Sequence, residues 1–300
     1  MPRLYDARMN AAPGTCLTLR HGQHQARIAP LAGGRILDWS TRLPAGRRDW
    51  LVPIEVETWP SASWPKGGIF PLAPFSNRVR NARLRWQGRV FPLEPLPGAP
   101  HALHGQAQAM AWDVVHREEA LATLALDHPA GLGGWPWAWH LRQTIALTDT
   151  GLRIGLTLEN RDTTPMPAGL GMHPYFTAHA ARLTADTRWT QERELALSPE
   201  KSTVSRWERS AASWTEFLSG WTGEALIDWP EGPGLRLRTT GPLGHMVLHC
   251  NEGRYLCVEP VTHVCDAANL AASGIPGTGL RVLAPGEALT VEMALDVRQD

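Results

Sequence analysis

The sequence predicts an all-β protein, built as a large antiparallel β-sandwich with few or no helices. Two observations predict this class. Apolar and polar residues alternate with a period of two in segment after segment, whereas the 3.6-residue periodicity of helices is scarce. In addition, 28 glycines and 25 prolines divide the 300 residues into short segments of strand length. No repeat or linker interrupts the pattern, so we expect one domain over residues 1–300.

The N-terminal half contains several short predicted strands, at residues 15–20, 34–40 and 121–126. Residues 83–86 and 89–93 form a predicted hairpin, since Gln87-Gly88 lies between them. Gly88 supplies the positive φ that a two-residue hairpin turn needs.

The clearest strand pair lies near the middle of the chain, at residues 137–147 and 152–159, joined by the turn 148–151. Every second residue of each segment belongs to one face, which contains Trp139, Leu141, Gln143, Ile145 and Leu147 in the first and Leu152, Ile154, Leu156 and Leu158 in the second. The C-terminal residues 289–297 alternate in the same way after the turn at Pro285-Gly286. Both patterns predict half-buried strands.

One segment, residues 205–218, favours a helix. Ser205 and Glu208 have the spacing of a capping box. The larger apolar residues then fall on one side of a helix, namely Trp207, Ala211, Trp214 and Leu218.

The charge balance argues against several classes of partner. Lys and Arg together number 29, as do Asp and Glu, so a nucleic acid or an anionic membrane would meet no net positive charge. No stretch approaches the roughly 20 apolar residues of a membrane span, and residues 1–14 lack the apolar run of a signal peptide. The four cysteines, Cys16, Cys250, Cys257 and Cys265, form no C-x-x-C pair. We therefore expect a cytoplasmic protein with reduced thiols.

Common cofactor and nucleophile motifs are absent: the sequence has no G-x-G-x-x-G, Walker loop, H-E-x-x-H or G-x-S-x-G. His101 and His104 have no cysteine or glutamate nearby at the spacing of a metal site. We expect no cofactor and no metal.

Three sets of polar residues are candidates for a functional site, because each lies among apolar residues or beside glycine or proline. Residues 67–79 are rich in glycine, proline and apolar side chains, and then present Asn77 and Arg78. His104 precedes a glycine, where backbone can approach a ligand closely. His173 precedes Pro174, which biases the histidine toward extended backbone and a fixed pose.

Glu259 is the residue least explained by structure alone. It stands near the end of an almost continuous apolar run, residues 255–263. A glutamate in such a run is rarely buried unless it is paired or functional.

The order of these motifs resembles that of the aldose 1-epimerase (galactose mutarotase-like) family, from about Gly33 to the C-terminal strand. The matching residues are Asn77-Arg78, His104-Gly105, His173-Pro174-Tyr175-Phe176, Glu259-Pro260 and Pro285-Gly286-Glu287. The resemblance implies an antiparallel β-supersandwich. It also implies an isomerase that interconverts the α and β anomers of a free aldose without a cofactor.

The resemblance assigns a role to each motif. Glu259 matches the family's general base and His173 its general acid. His104 and Arg78 match residues that bind the sugar, with Asn77 beside them. Ring opening removes the proton of the C1 hydroxyl while O5 receives one, so a carboxylate and an imidazolium suit the two tasks. We expect the carboxylate to favour protonated His173.

The positions that bind sugar hydroxyls in the family carry different residues here. Trp214 stands where galactose mutarotases have an aspartate, and Glu216 or Asp228 could compensate. Met246 or a neighbour replaces a glutamine, and Gln106 replaces a second glycine. The partner is thus a monosaccharide of unidentified type.

Two alternatives stay open. A hexose-6-phosphate mutarotase would use Arg78, Arg80 and Arg83 to bind the phosphate. A sugar-binding or sugar-sensing protein would use Glu259 and His173 only to hold hydroxyls. The sequence is compatible with a monomer or a weak dimer.

Overall fold

The computed structural model describes residues 15–56 and 65–298, whose regular secondary structure is almost entirely β-strand. The strands of the first half are β1 Leu17–His21, β2 His24–Ala29, β3 Arg35–Leu43, β4 Gly46–Asp49, β5 Ile69–Leu72, β6 Arg78–Val79, β7 Arg83–Trp86, β8 Arg89–Pro92, β9 Ala102–Leu103, β10 Asp113–Arg117, β11 Leu121–His128, β12 Trp139–Thr148 and β13 Gly151–Asn160. Those of the second half are β14 Met166–Ala168, β15 Gly171–Phe176, β16 Ala180–Leu183, β17 Thr187–Glu192, β18 Leu195–Lys201, β19 Arg206–Glu208, β20 Trp214–Ser219, β21 Glu224–Asp228, β22 Leu235–Thr240, β23 His245–Cys250, β24 Leu256–Val261, β25 Arg281–Leu283 and β26 Ala288–Val297.

Most strands belong to two large antiparallel sheets. The first sheet has the order β1-β2-β3-β5-β15-β24-β23-β20-β17-β18, with β4 paired to β3. The second has the order β10-β11-β12-β13-β26-β22-β21-β16-β19. The main hydrophobic core draws side chains from both sheets, including Leu19 and Ile36 of the first and Leu141 and Ile154 of the second. The predicted β-sandwich is confirmed.

The predicted strand pairs are also confirmed. β12 and β13 pair in register from Trp139 opposite Asn160 to Thr148 opposite Gly151. All the residues assigned above to their apolar faces are buried, Gln143 included. β7 and β8 form the predicted hairpin, and its two turn residues, Gln87 and Gly88, both have positive φ.

The helix predicted at residues 205–218 is wrong. The segment forms β19, which pairs with β16, and β20, which pairs with β17 and β23. Backbone pairing with distant strands outweighs a weak local helical preference. Ala267–Ala272 is the one α-helix in the described part of the chain, and we label it α1.

The two faces of the first sheet have different neighbours. One face packs into the main core, with Phe176, Leu248, Leu256 and Val258 among its residues. The opposite face carries a second hydrophobic cluster that includes Phe70, Tyr175, Val247 and Cys257. The loops and short strands that cover this outer face leave the cleft described below.

No helix in the described ranges is long and apolar enough to cross a membrane.

Candidate active site

His173 and Glu259 face each other from neighbouring strands of the first sheet. β15 pairs with β24 so that Gly171 is opposite Val261 and Tyr175 opposite Cys257, a register that sets His173 opposite Glu259. Nε2 of His173 lies 3.4 Å from Oε1 of Glu259. The residues expose only 5% and 1% of their surfaces. The structure thus brings together the two residues predicted as acid and base.

Aromatic rings fix the pose of the His173 imidazole. It stacks on Tyr175 with ring centroids 4.6 Å apart, and on Phe70 at the same distance. The guanidinium of Arg35 lies 4.3 Å from the centroid of Phe70. Arg35 is fully buried and also donates to the carbonyls of Pro65 and Gly67. The histidine is therefore extended and rigidly packed, as its position before a proline predicts.

His104 approaches the pair edge-on, with its ring centroid 5.0 Å from that of His173. Its Nδ1 accepts a hydrogen bond from the backbone N–H of Asn77 at 3.2 Å. Burial and nearby Arg78 lower the pKa of His104 well below 6.5, so the ring is neutral and carries its proton on Nε2. A neutral Nε2–H can donate to a ligand oxygen.

The glycine after His104 serves packing rather than ligand approach. Gly105 has φ of 66°, and a Cβ there would come within 2.0 Å of the Ala73 carbonyl oxygen. His104 itself also has positive φ, a conformation that is uncommon outside glycine. Close packing against the Ala73 backbone thus accounts for the glycine, and Gly105 is not among the residues that line the cleft.

Asn77 and Arg78 both line the cleft. Asn77 has positive φ, and its side-chain oxygen accepts a hydrogen bond from the Arg78 backbone N–H at 2.9 Å. The Arg78 guanidinium pairs with the carboxylate of Glu194. Asn77 thus shapes the loop, while Arg78 presents an oriented cation beside the His173–Glu259 pair.

Burial changes the proton affinities of the pair in opposite directions. It raises the pKa of Glu259 well above 4.5, against a smaller effect of Arg78. It lowers the pKa of His173 well below 6.5, and the neighbouring His104 lowers it further. Both shifts favour a neutral pair, with a proton on the carboxyl group rather than on the imidazole. This differs from the expected imidazolium, because burial penalises both charges.

The cleft around the pair has a volume of 290 Å³. Its remaining polar lining was not predicted and comprises Lys66, Glu194, Ser213, Thr215, His249, Asn251 and Tyr255. Thr215 Oγ1 lies 2.9 Å from Nδ1 of His249, and the Asn251 amide donates to the Tyr255 hydroxyl at 3.0 Å. These side chains offer both donors and acceptors to sugar hydroxyls.

One group of residues in the described ranges has a composition that could hold a metal ion. It consists of His173, Cys257 and Glu259, whose ligand atoms all lie within 4.8 Å of one another. It does not include His101 or His104, the pair considered from the sequence.

Comparisons with known proteins agree with this fold. The profile of the aldose 1-epimerase family matches residues 15–296. The chain belongs to this family. It is 29% identical over 248 residues to the uncharacterized protein YphB of Escherichia coli K12, a match that covers 76% of this chain and 83% of YphB.

Comparison with solved structures shows the same fold. An E. coli K12 protein provisionally named an aldose 1-epimerase superposes with a TM-score of 0.81 at 26% identity, covering 95% of this chain and 99% of that one. A galactose mutarotase-like protein of Clostridium acetobutylicum superposes with a TM-score of 0.79 at 15% identity, over 95% of each chain. The second likeness shows a shared fold.

In this aldose 1-epimerase family member, two residues that differ from the family pattern, Trp214 and Met246, lie outside the cleft. Trp214 packs against the main core and Met246 is buried in it. Because side chains alternate along a strand, their neighbours Thr215 and Val247 face the cleft instead. Residue 215 is therefore the position on β20 that can contact a sugar.

The acids considered as substitutes for the aspartate are held elsewhere. Glu216 forms a bidentate pair with Arg188, and Asp228 pairs with Arg182 and Arg298. None of these residues lines the cleft. They cannot compensate for the missing aspartate.

The predicted arginine cluster does not assemble at the cleft of this family member. Arg78 lines it, whereas Arg80 pairs with Asp266 and Arg83 is exposed on β7. Lys66 is the second cation of the lining, and burial together with Arg35 lowers its pKa to about 8. An anionic substituent would therefore meet Lys66 and Arg78.

Proposed function

We propose that the protein is an aldose 1-epimerase that interconverts the α and β anomers of a free aldose by acid–base ring opening and reclosure. The observation that carries this proposal is the His173–Glu259 pair, 3.4 Å apart and buried in the wall of a monosaccharide-sized cleft. His104, Arg78 and Asn77 hold the sugar beside it.

The proposed reaction exchanges one proton between two sites. When the sugar binds, the single proton of the pair first moves from Glu259 to His173 Nε2, which lies 3.4 Å away. Glu259 then removes the proton of the C1 hydroxyl while His173 Nε2 protonates O5, which opens the ring. The pair is then neutral, with the proton on Glu259, and this is the form that burial favours. Rotation about the C1–C2 bond presents the other face of the carbonyl, and the reverse transfers close the ring as the opposite anomer. The proton then returns from His173 to Glu259, so the protein ends the cycle in its starting protonation state.

A second candidate is the mutarotation of a sugar phosphate. Lys66 and Arg78 favour it, since both line the same cleft. The Arg78–Glu194 pair reduces the available positive charge, so we place this reading second.

Optical rotation tests both candidates. Pure anomers of glucose, galactose, xylose, arabinose and glucose-6-phosphate are dissolved with and without the protein, and the approach to equilibrium is followed. We expect acceleration for at least one neutral aldose. Acceleration of the phosphate alone would select the second candidate. Saturable binding with no acceleration of any sugar would indicate a sensor and overturn the proposal.

A further inference from the structure

Cys257 lies on the same face of β24 as Glu259 and belongs to no step of the proposed reaction. The two residues are two positions apart on an extended strand, so their side chains point the same way. Cys257 is opposite Tyr175 of β15 and His249 of β23. Its thiol is fully buried under the cleft, and its sulfur is within 4.8 Å of ligand atoms of both His173 and Glu259.

The three ligand atoms nearly have the spacing of a tetrahedral metal site. In zinc sites with bonds of about 2.0–2.3 Å, neighbouring ligand atoms lie about 3.3–3.8 Å apart. Coordination requires side-chain rotations that bring these atoms, now within 4.8 Å of one another, to that separation. Oε2 of Glu259 is buried without a hydrogen-bond partner in the described structure. Bidentate coordination by the carboxylate would engage this oxygen.

The charges also fit a divalent cation. A thiolate, a carboxylate and a neutral imidazole together carry two negative charges, which one divalent ion cancels as it displaces the protons of the Cys257 thiol and the Glu259 carboxyl group. Thiolate and imidazole ligands select Zn²⁺ and Cd²⁺ over Mg²⁺ and Ca²⁺. Lys66 and Arg78 line the same cleft and repel a cation, so the affinity should be lower than that of a structural zinc site.

We propose that His173, Cys257 and Glu259 form a latent Zn²⁺ or Cd²⁺ site whose fourth position opens to the cleft, and that the ion inhibits the protein. The bound ion would occupy both groups of the catalytic pair, so neither could transfer a proton to or from the sugar. The binding site stands on its own geometry. Its inhibitory effect rests on the proposed function.

Cobalt absorption tests the binding independently of activity. Co²⁺ bound by a thiolate gives an intense near-ultraviolet charge-transfer band, and a tetrahedral site gives strong visible bands. We expect both in the wild-type protein at one Co²⁺ per chain, with loss of the bands when Zn²⁺ displaces the cobalt. Absence of a thiolate band would overturn the proposal.

Two variants identify the thiol. Loss of an outer-shell partner already weakens metal binding about 10–100-fold, so Cys257→Ala should weaken Co²⁺ binding by at least about 100-fold. Cys16→Ala removes the one cysteine of the chain that is not buried and should leave the bands unchanged. If Cys257→Ala does not fold, by circular dichroism, Cys257→Ser replaces it. Bands that persist without the Cys257 thiol would overturn the proposal.

The inhibition experiment compares the mutarotation rate of each protein in the presence of Zn²⁺ with its rate without metal. Zn²⁺ should inhibit wild-type mutarotation competitively with the sugar and should inhibit the Cys257 variant at least about 100-fold less effectively, in line with the binding loss. Equal inhibition of both would overturn the inhibitory role. If no sugar is turned over at all, the proposed function fails while the cobalt spectra still decide the metal site.

Discussion

The central strands of the two large sheets differ in how far their outer faces are shielded from solvent. Along β12 and β13 of the second sheet, buried residues alternate with residues that reach solvent. Along β15 and β24 of the first sheet, every residue is buried. The first sheet is covered on both sides, so a histidine and a glutamate on its outer face are removed from water. The covered sheet provides the environment in which their proton affinities change.

The outer face of the second sheet shows that the volume of a groove alone does not identify a functional site. It bears a larger groove, of 550 Å³, lined by threonines, arginines and Glu292. Glu292 is exposed there, whereas Glu259 is buried. Matched substitutions on the two sheets can therefore separate catalysis from stability.

The largest effect should follow from removing either proton-transfer group. Positioned proton transfer contributes about 10²–10⁴ in rate, so Glu259→Gln and His173→Ala should each lower kcat/KM for mutarotation by at least about 10². Polarimetry measures the rate, and circular dichroism confirms folding. Glu292→Gln on the second sheet is the matched control and should retain the parental rate. A near-parental rate in either site variant would refute the role of its residue.

A core substitution in the second sheet should show the opposite profile. Leu141 is fully buried on the inner face of β12, and Leu→Ala at such positions costs about 2–5 kcal/mol. Leu141→Ala should lower the free energy of unfolding by about 3 kcal/mol, measured with urea, and leave kcat per folded molecule unchanged. A large loss of kcat in folded protein would show that the second sheet takes part in catalysis.

Acid should destabilise the second sheet through His128. This ring is buried against Trp139, and burial lowers its pKa from 6.5 to about 4. The unfolded chain binds the proton at higher pH than the folded chain does, so stability is full above pH 6.5 and is lost as the pH falls toward 4.

His128→Phe keeps a ring and removes the titration. A pKa difference of this size corresponds to about 3 kcal/mol, so the variant should lose about that much less stability between pH 7 and pH 4. Urea unfolding across this range measures the change. An unaltered pH dependence would contradict a neutral, buried His128.

The smallest effect should come from a cleft hydroxyl. Thr215→Val removes a group that contacts His249 and faces the sugar, and a lost hydrogen bond costs about 1 kcal/mol. We expect KM to rise about five-fold with kcat little changed. Thr157→Val breaks a similar Thr157–Thr290 contact on the second sheet and should leave KM unchanged. Equal KM values in both variants would exclude Thr215 from sugar binding.

The contrast between the sheets also explains how far sequence could predict the site. The sequence singles out His173 before a proline and Glu259 in an apolar run, and the resemblance to the family assigns their roles. Their distance and their altered pKa values depend on the pairing of β15 with β24, which joins distant parts of the chain. No local pattern specifies that pairing or the loops that cover it.

Thr215 and His249 were missed for a related reason. Which residues of β20 face the cleft depends on its register with β23, and a shift of one residue exchanges the two faces. A segment interpreted as a helix has no such register, so Trp214 and Thr215 could not be told apart. The second sheet was easier to predict, because its strict alternation reveals the inner face directly.

The most direct test of the central claim is a double-mutant cycle on anomeric exchange. Exchange rates at equilibrium are measured by NMR for the wild type, Glu259→Gln, His173→Ala and the double variant, with an aldose that the wild type accepts. In the proposed mechanism the two residues move protons in one coupled step, so the double variant should exchange no more slowly than about the slower single variant. Losses that multiply across the two single variants, or a single variant that exchanges at the wild-type rate, would contradict the account.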